Sequence, residues 1–362
     1  MVDVVVDGLL ASHPEAAGRG LGRYVDSLLT NLPGVPGLDL TALMVGDRPL
    51  PPDVRRVDVR RLDPHLRVEW YEHILRIGLD AQRTHADVFH SPGVHPPLWY
   101  RGPWVQTLHD VTPLEFPSDG WGVEPFRWRI RGALMRRAAA VICISQHTAD
   151  MGIRHLGLAP ERLHVVYHGV APVFREPAEP FSTGRPYLLV VSGFGPHKGF
   201  AEAFAVADRL ADAGWPHELR VVGGFDGEQA ARVDRLRRAA THADRIVLEG
   251  QIGDADLARR YRGASALLVT TRHEGFGLPT IEAMAAGAPV VAFDNSALGE
   301  IVGDGGLLVP DGDVARFAHE VETLLRDDAA RVDMIRRGQR RSETFTWDRS
   351  AHEHAEIYAL VA

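Results

Sequence analysis

The chain has 362 residues, 45% of them hydrophobic and 24% charged, with a formal net charge of −8. That length exceeds what one hydrophobic core supports, so two domains of ordinary size are expected, and the acidic balance argues against a general nucleic-acid-binding surface. The single cysteine, Cys143, excludes an internal disulfide; inside the apolar run VICIS it reads as a small core residue of a cytoplasmic protein.

MVDVVVDGLL opens the chain with Asp3 and Asp7 and without a basic leader, so it reads as a first strand and not as a signal peptide. Short apolar runs then recur with helical patterns between them: LTALMVG (40–46), DVFHS (87–91), WVQTLHDV (104–111), VICIS (141–145) and LHVVYHGV (163–170). The basic run FRWRIRGALMRRAA (126–139) suits a solvated helix with one packed face better than a helix lying on an anionic membrane, so peripheral membrane contact is expected to be weak at most. No segment approaches the roughly 18 apolar residues of a membrane span. The rhythm pauses at APVFREPAEPFSTGRP (171–186), where four of sixteen residues are proline; this is the expected linker. Alternation restarts with YLLVVSG (187–193), ELRVVGG (218–224), IVLEGQI (246–252), SALLVTT (265–271), APVVAF (288–293) and GGLLVP (305–310).

Runs apolar on both faces and separated by helices indicate parallel sheets covered on each side. Phe200, Phe204, Ala207 and Leu210 form one helical stripe, and Val314, Phe317, Val321 and Leu324 another, behind a cap at Asp313. The fold class is therefore α/β, two Rossmann-like doubly wound domains facing across a cleft. Ligands of such sheets bind outside the carboxyl ends of the strands.

HEGFGLPTIEAMAAGAPVVAF (273–293) carries the strongest site signal. Gly275 and Gly277 let backbone approach a ligand, Pro279 suits a helix start and Gly287 its end, yet Glu274 and Glu282 stand beside an N-terminus that attracts anions. A sugar nucleotide reconciles the two, with a diphosphate for the helix start and hydroxyls for the carboxylates: ribose for Glu282, the transferred sugar for Glu274. An isolated pair of glutamates would more often be a surface residue and a local cap; the glycines between them tilt the balance.

VVSGFGPHKGF (190–200) also joins a strand to a helix, with Gly193, Gly195 and Gly199 keeping the loop open and Lys198 placed for a pyrophosphate leaving group. It matches neither a dinucleotide fingerprint nor a P-loop, and a lysine beside a glycine is usually a surface lysine. GRGLGRYVDSLL (18–29), read as a glycine-rich loop after the first strand, offers Gly20 and Gly22 for close approach, though a plain turn explains it nearly as well. In TLHDVTPLEFP (107–117), His109 and Asp110 end a strand, and adjacent residues point to opposite sides, so they do not form one dyad. Metal motifs fail: HEHAE near the C-terminus lacks the second histidine of a zinc protease at the required step, and DAD (254–256) and DGD (311–313) read as helix caps.

With these motifs in place the chain resembles the retaining glycosyltransferases of family 4, of GT-B architecture, over essentially its whole length. Glu274 and Glu282 match the family's E-x7-E motif; SGFGPHKG resembles its phosphate-clamp loop, with Lys198 at the lysine position; GRGLGRY resembles its N-terminal phosphate and acceptor loop; LHD resembles the strand end facing the reacting sugar, with His109 near the reacting carbon; and FTWDRSAHEHAEIYALVA resembles the terminal helix returning to the first domain. Many relatives carry an arginine in the clamp where Phe194 stands here.

The resemblance implies an acceptor domain over 1–175 completed by helix 345–362, and a donor domain over 185–344. It implies donor contacts at Gly20, Gly193, Lys198, Ile252 (nucleotide base), Glu274, Gly275, Phe276, Gly277, Leu278, Pro279, Thr280 and Glu282, with His109, Lys198 and Glu274 acting in the reaction. Neither a metal nor a cofactor is implied: the co-substrate is a nucleotide diphosphate sugar (GDP-mannose, UDP-glucose or UDP-N-acetylglucosamine) and the acceptor a saccharide, lipid-linked or natural-product hydroxyl. The rivals are a non-hydrolysing sugar-nucleotide epimerase and a catalytically silent sugar-nucleotide binder.

Overall fold

The computed structural model describes residues 1–12, 20–59, 69–117, 124–193, 195–225 and 227–362. Gly18, Arg19 and Phe194 lie outside the described residues. The chain divides into two compact units, one of residues 1–169 with 346–362 and one of residues 170–345.

The first unit holds β1 (Val2–Asp7), β2 (Leu38–Met44), β3 (Val54–Asp58), β4 (Val88–Ser91), β5 (Trp104–Leu108), β6 (Ala140–Cys143) and β7 (Leu163–Val165), in the order β3-β2-β1-β4-β5-β6-β7. Every pairing is parallel. Alternation along β1 sends Val4 and Val6 to one face and Val5 to the other, and each face has its own core. Val4 and Val6 meet Tyr24, Leu28, Ile357 and Tyr358, whereas Val5 meets Leu43, Phe89, Leu108 and Cys143. Burial pushes the Cys143 thiol up to about 12, so it stays protonated and acts as an apolar filler.

β3 (VRRVD) has no counterpart among the expected strands. It is an edge strand with alternate residues exposed, and its Arg55 reaches out to Asp3 and Asp39 at 2.9 and 3.2 Å. Charge on an edge strand hides it from an apolar-run reading and guards it against edge-to-edge pairing. The glycine-rich loop expected over 18–29 is also corrected: Gly20–Asn31 is a helix with Gly22, Tyr24, Val25, Leu28 and Leu29 buried. The apolar period of Tyr24, Leu28 and Leu29 outweighs two glycines near the helix start.

The terminal helix Trp347–Val361 is capped by Thr346, which accepts from the Arg349 amide at 3.2 Å, and packs into the first unit through a buried polar chain. The Ser350 carbonyl can only accept, so His354 Nδ1 donates to it (2.7 Å), and Nε2 accepts from the Tyr24 hydroxyl (2.8 Å). Tyr24 then accepts from Thr107 (2.9 Å), Thr107 from His90 Nε2 (2.8 Å), and His90 Nδ1 from Tyr358 (2.7 Å). One direction of donation satisfies every link, and it requires both histidines neutral. Burial holds His90 well below its usual range and His354 at about 4.

The second unit holds β8 (Tyr187–Val191), β9 (Glu218–Val222), β10 (Ile246–Gly250), β11 (Ala266–Val269), β12 (Val290–Asp294) and β13 (Leu307–Pro310), in the order β10-β9-β8-β11-β12-β13, again parallel. Phe200, Phe204, Leu210, Phe317, Val321 and Leu324 pack on one face of it, as their spacing predicts. Asp313 caps its helix by accepting from the Arg316 amide at 2.9 Å; Asp254 and Asp256 lie instead inside the first turn of helix Asp254–Gly263, where they complement the dipole without capping. The proline-rich stretch has only the short 3₁₀ turn Pro172–Phe174, and its Phe181 ring lies 4.2 Å beneath the Arg260 guanidinium.

A neutral buried histidine makes the folded state reluctant to take up a proton that the unfolded chain accepts near pH 6.5, so stability falls as pH drops from 6.5 towards 4. His354 alone removes about 3 kcal/mol across that window. Thermal unfolding between pH 7 and 4 is expected to show a falling Tm, reduced in slope for His354→Gln; a flat profile contradicts the neutral chain.

Candidate active site

In each sheet the strand order reverses at one place, between β1 and β4 and between β8 and β11, and connections leave there in opposite directions. In the second unit the two loops that carry the motifs both issue from this point: 192–199 after β8 and 270–277 after β11.

Among the described residues, backbone carbonyls of the first loop accept three hydrogen bonds from the second. Thr270 Oγ1 donates to the Gly199 carbonyl (2.8 Å), Thr271 Oγ1 to the His197 carbonyl (3.1 Å), and the Arg272 amide to that same carbonyl (2.8 Å). Gly199 has φ +65°, and a Cβ there would lie 1.8 Å from the Thr270 carbonyl oxygen. Only glycine fits both demands. The joint places Lys198 Nζ 2.8 Å from Glu274 Oε1, with about a fifth of each side chain exposed. The Glu274 backbone is anchored from a third loop: its amide donates to Ser296 Oγ at 2.9 Å, and its carbonyl accepts from the Ala297 amide at 3.3 Å. Ser296 takes φ +45°, and Asn295 Nδ2 donates to the Thr271 carbonyl at 2.9 Å. The motifs did not point to Asn295 and Ser296; the only signal was the polar run DNS (294–296) directly after the apolar run APVVAF.

Gly277, at φ +90°, turns the chain into helix Leu278–Ala286. Pro279 has no N–H, and the Thr280 amide bonds the Gly277 carbonyl at 2.9 Å, so the N–H groups without a partner at this end, among the described residues, are those of Gly277 and Leu278. Thr280 itself is fully buried, its Oγ1 lacking a partner among the described residues. Phe276 turns inward against Phe345, ring centroids 5.9 Å apart, so backbone is what it presents outward. Glu282, about one turn into the helix, is 1% exposed and accepts from Tyr261 Oη at 3.2 Å, which removes the surface-residue reading. Ile252 is half-buried just before helix Asp254–Gly263, and a Cβ on exposed Gly193 would meet nothing within 4 Å.

The structure thus brings Lys198, Glu274 and the helix start together in one unit. Gly20 and His109 belong to the other. Gly20 begins helix Gly20–Asn31, and His109, buried after β5, donates through Nε2 to the Pro92 carbonyl at 2.7 Å. Burial lowers its basicity, so it is a neutral donor at pH 7. Asp110 turns away and accepts from the Thr112 amide at 3.0 Å.

Two Rossmann-like parallel sheets, each reversing its strand order, define the GT-B class. The sucrose-phosphate synthase of Thermosynechococcus elongatus superposes with a TM-score of 0.81 at 20% identity, over 99% of both chains. The family model of glycosyl transferases group 1 matches residues 174–341, and that of glycosyltransferase family 4 matches 18–173. A D-inositol 3-phosphate glycosyltransferase of Streptomyces bingchenggensis is 30% identical over 334 residues, 80% of this chain and 73% of the relative. An O-antigen chain mannosyltransferase B of Escherichia coli is 29% identical over 295 residues, 78% and 76% of the two chains. The protein belongs to glycosyltransferase family 4.

Because Gly199 joins the two loops, Gly199→Ala is expected to destabilise the second unit by about 3 kcal/mol or more, from backbone strain plus the contact with Thr270. Denaturant titration measures this; a change under 1 kcal/mol would show that the junction tolerates a side chain.

Proposed function

We propose that this glycosyltransferase moves a hexosyl group from a nucleotide diphosphate sugar to an acceptor hydroxyl, with retention and without a metal ion. The observation that carries the reading is the Lys198–Glu274 pair, with Glu274 three residues ahead of the Gly277 amide and four ahead of the Leu278 amide, neither of which has a partner among the described residues. A cation and two N–H groups suit a diphosphate, whose charge grows as the bond to the sugar breaks. Glu274 in this reading binds hydroxyls of the transferred sugar and Glu282 those of the ribose, while Ile252 lies against the base. The acceptor oxygen attacks the anomeric carbon on the face the phosphate leaves, and its proton passes to the departing phosphate oxygen, releasing a nucleoside diphosphate. His109 keeps its implied place near the donor sugar as a neutral ring whose Nδ1 accepts from a sugar hydroxyl, its Nε2–H being held by the Pro92 carbonyl. The relatives' activities, on an inositol phosphate and in O-antigen mannosylation, support a polyhydroxylated acceptor and keep GDP-mannose beside UDP-glucose and UDP-N-acetylglucosamine as donors.

Lys198→Ala is expected to lower kcat/KM on the order of 100-fold, about 3 kcal/mol, with most of the loss in kcat at saturating donor. An unchanged kcat refutes the leaving-group role. Turnover is expected to persist in excess chelator, since lysine and amides meet the diphosphate charge; complete loss there assigns that task to a metal.

A further inference from the structure

Glu282 is held by a residue that no motif names. Its neighbours Ile281, Ala283 and Met284 are wholly buried and it is 1% exposed, so its carboxylate needs hydrogen bonds to be tolerated there. One comes from Tyr261, whose hydroxyl donates to Oε2 at 3.2 Å. Tyr261 closes the helix Asp254–Gly263 that begins directly after Ile252 and Gly253. The ring has no exposure and stands edge-on to Phe174, centroids 5.9 Å apart at 63°, while Arg262 Nη2 donates to the Phe174 carbonyl at 3.1 Å. A hydroxyl on a packed ring with two side-chain torsions has a fixed position, unlike a solvated lysine or serine.

We propose that Tyr261 is a positioning residue for the donor's ribose: its hydroxyl sets the rotation of the Glu282 carboxylate so that two vicinal hydroxyls meet it in one orientation. The proposal rests on the reading of Glu282 given above. Ile252 precedes, and Tyr261 lies in the last turn of, one short helix, so the base-side segment and the ribose carboxylate are referred to the same rigid element. Removing the hydroxyl leaves the carboxylate in place but lets it turn. The loss falls on ribose recognition and on KM, and kcat at saturating donor stays the same.

The test is calorimetric binding of UDP and GDP, and of their 2′,3′-dideoxy forms, to the full chain. The quantity read is the ratio of dideoxy to ribo Kd for whichever base binds more tightly. An intact enzyme is expected to favour the ribonucleotide by about 100-fold. Tyr261→Phe, which keeps the ring, is expected to cut that ratio about tenfold and to raise the donor KM with kcat within about twofold. Equal weakening of both nucleotides, or an unchanged ratio, leaves Tyr261 a merely structural residue and overturns the proposal. Glu282→Ala separates the two layers: it is expected to erase the preference. Loss with Glu282→Ala but not with Tyr261→Phe defeats only the positioning role. Retention of the full ratio in Glu282→Ala defeats the ribose reading itself.

Discussion

The second unit depends on the junction where the loop after β8 meets the loop after β11. Neighbouring parallel strands, about 4.8 Å apart, ordinarily send their connections over the same face; where the strand order reverses, the connections part to opposite faces and leave a gap between them. Here Thr270, Thr271 and Arg272 hold loop 195–199 across that gap through the carbonyls of Gly199 and His197. Lys198 therefore comes from one loop and Glu274 from the other, and their separation is set by hydrogen bonds from two threonine hydroxyls and one amide to backbone carbonyls.

This junction accounts for carboxylates beside an anion-attracting helix start. Glu274 does not face the amides unopposed; in the ligand-free protein it neutralises Lys198. Such a partly buried pair contributes little to stability, since desolvation and side-chain ordering offset most of its attraction. In the proposed function its value lies in exchange: a diphosphate would give the lysine a second anionic partner and free the glutamate for sugar hydroxyls. Glu282 has a different setting, withdrawn from water behind Tyr261, where a carboxylate persists only if its hydrogen-bonding partners are fixed.

Strands buried on both faces were legible as apolar runs, and all of the runs named from the sequence contain a strand. β3 was not, because an edge strand owes its identity to its neighbour β2 and not to apolarity. LHVVYHGV gave a strand of only three residues, Leu163–Val165. The helix at Gly20–Asn31 was obscured because local glycine propensity and the burial of Tyr24 and Leu28 point in opposite directions, and burial dominates. Within the site, residues with unusual local demands, such as Gly199, Gly277 and Pro279, declare themselves by type. Tyr261, Ser296 and Thr270 act through partners remote in the chain and carry no local mark.

A crystal structure of the protein with a nucleoside diphosphate bound tests the central claim most directly. The account predicts Lys198 Nζ displaced from Glu274 onto a phosphate oxygen, with the Gly277 and Leu278 amides on the same diphosphate. A diphosphate bound elsewhere, with the Lys198–Glu274 pair intact, would contradict it.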